Sequence, residues 1–116
     1  MELVETFTKK SKMFFPQREF LLMDGDQKVC NLMVMEIAEN ELDLTVSTVP
    51  KYRRQGYAVI GLRMLIMWAA RNGYKKVQLT NLFGSDAIEK IAKKLNFIKG
   101  AGTNIWNKSI IGPLNL

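Results

Sequence analysis

The stretch Pro50-Lys51-Tyr52-Arg53-Arg54-Gln55-Gly56-Tyr57-Ala58 lies where the sequence changes its period, and that change decides the fold. Before it, Glu41-Leu42-Asp43-Leu44-Thr45-Val46-Ser47-Thr48-Val49 alternates polar and apolar residues, the period of 2 expected of a strand. After it, residues 55–72 carry Ala58, Ile60, Leu62, Met64, Leu65, Ile66, Met67, Trp68, Ala69 and Ala70. That run is too long for a strand and closes on Asn72-Gly73, so it reads as a mostly buried helix with a glycine C-cap. Lys75-Lys76-Val77-Gln78-Leu79-Thr80 reads as the next strand. Residues 41–80 thus form a strand, helix, strand unit whose right-handed crossover makes its two strands parallel. In such sheets ligands collect at the strand C-terminal ends, beside the helix N-terminus, which is where the quoted stretch falls.

Working outward, residues 18–23 run into Asp24-Gly25-Asp26, a strong turn signal, and residues 28–37 resume in β-favouring residues, giving a hairpin. Ala38-Glu39-Asn40 makes a second turn, so three antiparallel strands form a meander ahead of the motif. Beyond it, residues 86–95 read as a second helix in which Asp86 and Glu89 have capping-box spacing, and Ile105-Trp106 sits in a last strand. The first seventeen residues are weakly patterned: Leu3-Val4-Glu5-Thr6-Phe7-Thr8 fits a short strand, and Lys9-Lys10-Ser11-Lys12 a loop or frayed turn. The expected order is β-β-β-α-β-α-β, with room for one more strand at the start. This is a mixed α+β chain of α/β character, a single domain over residues 1–116 without linker or repeat.

Composition narrows the chemistry. The chain has 116 residues, one cysteine and no histidine, which removes disulfides, Cys/His zinc sites and imidazole bases together. No metal is expected. The longest apolar run, residues 59–70, is broken by Arg63 and falls short of the ~20 residues of a membrane span, so a soluble cytoplasmic protein is expected. The net charge of +6 is uneven: residues 1–50 hold 5 Lys/Arg against 9 Asp/Glu, and residues 51–116 hold 12 against 2. An anion belongs with the second half.

The quoted stretch is built for one. Gly56 permits close backbone approach to a bulky anion, Ala58 leaves space, the free N–H groups of the first helical turn point outward, and Arg53 and Arg54 add charge. Gly56 and Gly61 also have P-loop spacing, but Leu62-Arg63 follow where Lys-Ser/Thr is needed, which excludes a nucleotide triphosphatase. Arg53-Arg54-Gln55-Gly56-Tyr57-Ala58 resembles the acetyl-CoA signature of the GCN5-related N-acetyltransferases, Arg/Gln-x-x-Gly-x-Gly/Ala between the fourth strand and third helix of that family. Val49-Pro50-Lys51-Tyr52 resembles the approach to the motif, and Ala87-Ile88 through Lys94-Leu95-Asn96-Phe97 resembles the helix that ends in Leu-Gly-Phe. The similarity spans about residues 28–99. It implies an acyltransferase fold around a central mixed sheet with acetyl-CoA as co-substrate. It further implies that the backbone of Thr48 and Val49 bonds the pantetheine amides, that residues 53–58, including Gln55 and Tyr57, hold the pyrophosphate, and that Ser85 approaches the pantetheine arm.

The resemblance leaves gaps. Family members often protonate the departing thiolate with a Tyr five residues before the Phe of Leu-Gly-Phe, a position held here by Ala92. A Glu base of some members lies eleven residues before the first motif residue, which gives Leu42; neighbouring Asp43 should face the other side of the sheet. The two helices that the family places between its first strands have no room ahead of Arg18, so the acceptor groove is reduced or completed by another subunit. No catalytic residue is assigned. Ser85 before Asp86 also fits an N-cap, Cys30 a buried small hydrophobe, and Met33, Met35, Met64, Met67 and Trp68 core packing, while Trp106 suits a lid or interface. Lys75-Lys76 and Lys93-Lys94 read as solvated faces.

The leading expectation is an N-acetyltransferase in which a primary amine attacks the thioester directly; the acidic first half suits a cationic acceptor. The alternative is a non-catalytic acyl-CoA-binding module. Nucleic acid is disfavoured because no aromatic-rich basic strand is present. The apolar content, 47% in so short a chain, points to a homodimer.

Overall fold

The computed structural model describes residues 1–9 and 17–111. Seven strands form one sheet in the order β1-β2-β3-β4-β5-β7-β6. They are β1 (Glu2–Lys9), β2 (Gln17–Asp24), β3 (Gln27–Ala38), β4 (Glu41–Thr48), β5 (Lys76–Thr80), β6 (Ile98–Lys99) and β7 (Ile105–Ser109). Among the described residues two helices complete it, α1 (Tyr57–Arg71) and α2 (Asp86–Lys94), with one 3-10 turn at Pro50–Tyr52. The meander, the crossover and the two helices stand where the sequence patterns put them, the weakly patterned start supplies β1, and two-residue β6 is an addition. Of the loop expected at Lys9-Lys10-Ser11-Lys12, Lys9 belongs to β1 and the rest lies outside the described residues.

Strands β1 to β4 are antiparallel neighbours, β4 and β5 are parallel, and β5 to β7 and β7 to β6 are antiparallel. Both helices pack on one face, where Phe20, Leu22, Leu32, Leu42, Leu44, Val77 and Leu79 meet Leu62, Leu65, Ile66, Ala69, Ala92 and Leu95. Leu62, Leu65 and Ile66 are fully buried, each contributing about 1.5–3 kcal/mol through removal of apolar surface from water. Gly61 is what lets α1 settle so closely: a Cβ there would stand 3.2 Å from Leu32 Cδ2 and 3.4 Å from Leu22 Cδ2.

Both helices end in the same motif. In α1 Gly73 (φ 83°) and Tyr74 donate to Ala70 and Ala69; in α2 Asn96 (φ 63°) and Phe97 donate to Lys93 and Ala92. At the start of α2 the expected pairing of Asp86 with Glu89 is corrected. Ser85, in extended backbone, is the N-cap and accepts from the Ile88 N–H at 3.5 Å, so Asp86 is already the first helical residue.

The opposite face carries no helix among the described residues; the core reading holds for Met64 and Trp68, which pack against the core, and is corrected for Met33, Met35 and Met67. Met33 and Met35 point to that face and are half-buried, Met64 is half-buried, and Met67 on α1 is 40% exposed. Trp68 is half-buried, edge-on to Phe20 at 5.1 Å and beneath the Arg18 guanidinium. Trp106 is neither lid nor interface: it is buried in the core. Cys30 is buried as expected.

Candidate functional site

The sheet opens where β4 and β5 part. Their pairing runs from Glu41/Lys76 to Leu44/Leu79 and stops, while β4 continues to Thr48 and Thr80 is held by Ile105 of β7. Just before the parting, Asp43 accepts from Gln78 Nε2 at 3.1 Å and Thr80 Oγ1 at 3.2 Å, joining the two strands at the vertex. The Val49 N–H donates to the Val29 carbonyl at 2.9 Å, and the Val49 carbonyl accepts from Tyr52. Since successive residues of a strand alternate the edge to which their backbone groups point, the backbone of Thr48 and Val46 faces the gap. Thr48 therefore turns its backbone toward the gap, its carbonyl taken by Arg53 Nε, whereas both backbone groups of Val49 are engaged away from it.

Helix α1 begins at the mouth of this gap. Its first backbone bond runs from the Ile60 N–H to the Gly56 carbonyl at 3.2 Å, leaving the preceding N–H groups without a helical acceptor. No side chain caps it and no acidic residue lies in its first turn, in contrast to α2, which has Ser85, Asp86 and Glu89. The positive end of the α1 dipole is thus left for an external anion. Gly56 has φ 80° and Arg54 φ 63°, and nothing lies within 4 Å of a Cβ built on Gly56, so the turn keeps open space against its backbone. Arg53 and Arg54 are exposed, and Arg53 Nε donates to the Thr48 carbonyl at 3.3 Å, tying the turn to the end of β4.

A cleft of about 600 Å³ gathers Thr48, Arg53, Arg54, Gly56, Tyr57, Ala58 and Ser85. Seven of the nine residues singled out from the sequence therefore share one wall. Gln55 is not among them; its amide turns back to the Lys51 carbonyl at 3.4 Å. Ser85 caps α2, as read from the sequence, and also lines the cleft. Its loop is fixed by Asn81, which donates to the Ser85 carbonyl at 2.9 Å and accepts the Ser85 N–H at 2.8 Å. Sequence reasoning missed Tyr52, Ile88, Lys90 and Ile91, which also line it. The helical spacing of the last three was the available signal, since 88 and 91, like 87 and 90, fall on neighbouring positions of one face.

Two tyrosines anchor the turn to the β2–β3 hairpin. Tyr57 donates to Asp24 Oδ2 at 2.9 Å and Tyr52 to Gln27 Oε1 at 2.8 Å, with their rings edge to face at 6.0 Å. The Asp24 carboxylate holds the Tyr57 hydroxyl above its ordinary pKa, so it stays a donor at neutral pH. Burial pushes the Cys30 thiol up, with a smaller opposing effect from Thr48 3.5 Å away, so it stands beside the cleft as a neutral group. The positions of a family acid and base are apolar: Ala92 and Leu42 are both buried, and the unbroken register of β4 from Leu42 to Thr48 turns Asp43 to the helix-free face. Lys75, Lys93 and Lys94 are exposed and Lys76 half-buried; Lys93 pairs with Glu89 at 3.0 Å. Among the described residues no helix is long and apolar enough to cross a membrane.

A mixed sheet that parts between two parallel strands, with an uncapped helix start at the opening, defines the fold of the GCN5-related N-acetyltransferases. An N-acetyltransferase from Staphylococcus aureus Mu50 superposes with a TM-score of 0.71 at 16% identity, over 80% of this chain and 67% of that one. The ribosomal-protein-S18-alanine N-acetyltransferase from Escherichia coli gives 0.68 at 18% identity, over 84% and 72%. A ribosomal L7/L12 alpha-N-protein acetyltransferase in complex with coenzyme A gives 0.71 at 14% identity, over 81% and 62%. No protein-family model and no curated protein matches the sequence, so the likeness is one of fold.

Proposed function

We propose that this protein is an acetyl-CoA-dependent N-acetyltransferase that transfers the acetyl group directly to a primary amine. The observation that carries this reading is the uncapped, acid-free start of α1 at the mouth of the β4/β5 gap. The residues present fit the co-substrate. The first-turn N–H groups with Arg53 and Arg54 suit its pyrophosphate, and the gap-facing backbone of Val46 and Thr48 suits the amides of its arm. Bound there, it supplies an activated acyl group as a thioester. The acceptor's nitrogen lone pair adds to the carbonyl carbon, the C–S bond breaks toward sulfur, and the proton lost from nitrogen ends on the thiol. This chain contributes position: two reactants held in register gain rate without a side-chain acid, and water carries the proton.

Calorimetric titration with acetyl-CoA, CoA and ATP tests the first half. Micromolar binding of both CoA forms is expected, with ATP weaker. Gly56→Trp, which puts a ring over the turn and strains a residue at φ 80°, should lower affinity at least about tenfold while circular dichroism stays native. A folded wild type that binds neither CoA form overturns the reading. The second reading is a binding module without turnover, favoured by the buried Ala92 where a Tyr acid would stand. Thiol release with a panel of primary amines separates the two.

A further inference from the structure

The helix-free face carries a second cleft, of about 280 Å³, across β2, β3 and β4. Its wall includes Leu21, Met33, Asn31, Thr45, Ser47 and Glu19. Ser47 also lines the cleft at the start of α1, so the two clefts meet at β4, in the segment past Leu44 where no strand pairs with it on the β5 side. Glu19 is the one charged residue of the second cleft and has no ion-pair partner among the described residues. It lies at the other end: Glu19 pairs with Met33 and Met33 with Thr45, so two strand spacings, about 10 Å, separate it from β4.

We propose that the acceptor is an aliphatic amine with a second cationic group, bound with its ammonium on Glu19, its methylenes over Leu21 and Met33, and its reactive nitrogen at Ser47. The proposal rests on the acetyltransferase reading. Its logic is one of placement. A nucleophilic nitrogen must be neutral, and a carboxylate beside it would hold it protonated, so the lone carboxylate belongs at the end away from the thioester. Between the ends the cleft offers apolar surface to a chain of methylenes, with the polar groups of Asn31, Thr45 and Ser47 toward β4. Among the described residues no helix covers this face.

The test compares 1,6-diaminohexane with hexylamine, matched in length and differing in the second ammonium, by thiol release and by direct titration. The wild type should show a KM and a Kd about two- to fivefold lower for the diamine, the range of an exposed ion pair. In Glu19→Gln that advantage should vanish while acetyl-CoA affinity persists. Equal use of the two amines by the wild type, or an advantage kept in Glu19→Gln, overturns the proposal. If acetyl-CoA binds but neither amine turns over, the titration decides alone: a Kd difference that depends on Glu19 supports the site, and no difference overturns it. Failure of acetyl-CoA to bind is a separate result, which removes the acetyltransferase reading itself.

Discussion

At Arg54 and Gly56 the chain twice adopts a left-handed conformation within three residues, and the two residues carry that cost differently. Gly56 does so freely, whereas a non-glycine residue at φ 63° costs of order 1 kcal/mol. Arg54 occupies this position with its charge exposed at the start of α1, where a smaller residue would sit with less strain. Arg54→Gly should therefore leave stability unchanged or raise it by a few tenths to about 1 kcal/mol, measured by urea denaturation, while weakening acetyl-CoA severalfold. A variant that loses stability and affinity together would mean that Arg54 builds the turn and does not serve the ligand. Gly56 and the two arginines were legible in the sequence because their spacing is local. Thr48 and Val49 are named together by the sequence pattern, but strand alternation lets only one of two neighbours turn its backbone to the gap, and the Val49–Val29 bond makes that one Thr48.

Among the elements, α2 shows why a family resemblance thins without breaking the helix. Asn96 stands where the family has Gly, and its φ of 63° explains the exchange, since Asn is the next best residue in the left-handed position of this C-terminal motif. Ala92 is different in kind. It is fully buried between α2 and the rest of the core, and its carbonyl accepts the Phe97 N–H. Ala92→Tyr would not restore a thiol-protonating acid; it would overpack the core and cost about 1–3 kcal/mol or more, with no gain in turnover. A folded Ala92→Tyr protein with raised kcat and unchanged melting temperature would show that α2 can turn this position toward the cleft. The amphipathic pattern placed α2 correctly, but its cap went to Ser85 rather than Asp86 because both residue types cap helices well. Backbone conformation, extended at Ser85, decides between them.

For the whole molecule, two carboxylates of the first half lie on one face and a group of second-half cations at the start of α1, where Asp24 stands with them. The carboxylates of Glu19 and Asp43 face the helix-free side and the cations Arg53, Arg54 and Lys90 surround the start of α1, so on the proposed reading an anionic co-substrate and a cationic acceptor would approach from opposite faces. That β4 joins these faces was not legible, because the period of 2 tells which residues share a side and not where two strands stop pairing. Salt separates the two roles of charge. On the proposed reading affinity for acetyl-CoA rests on exposed cations, so raising NaCl from about 0.05 to 0.5 M, which shortens the Debye length severalfold, should raise its Kd about tenfold. Stability rests on Leu62, Leu65, Ile66 and their neighbours, and a net charge of +6 repels itself, so the same salt should leave the melting temperature unchanged or raise it. Affinity and stability moving in opposite directions identifies the cations as ligand-binding surface. A melting temperature that falls in step with affinity would instead mean that those charges hold the fold together.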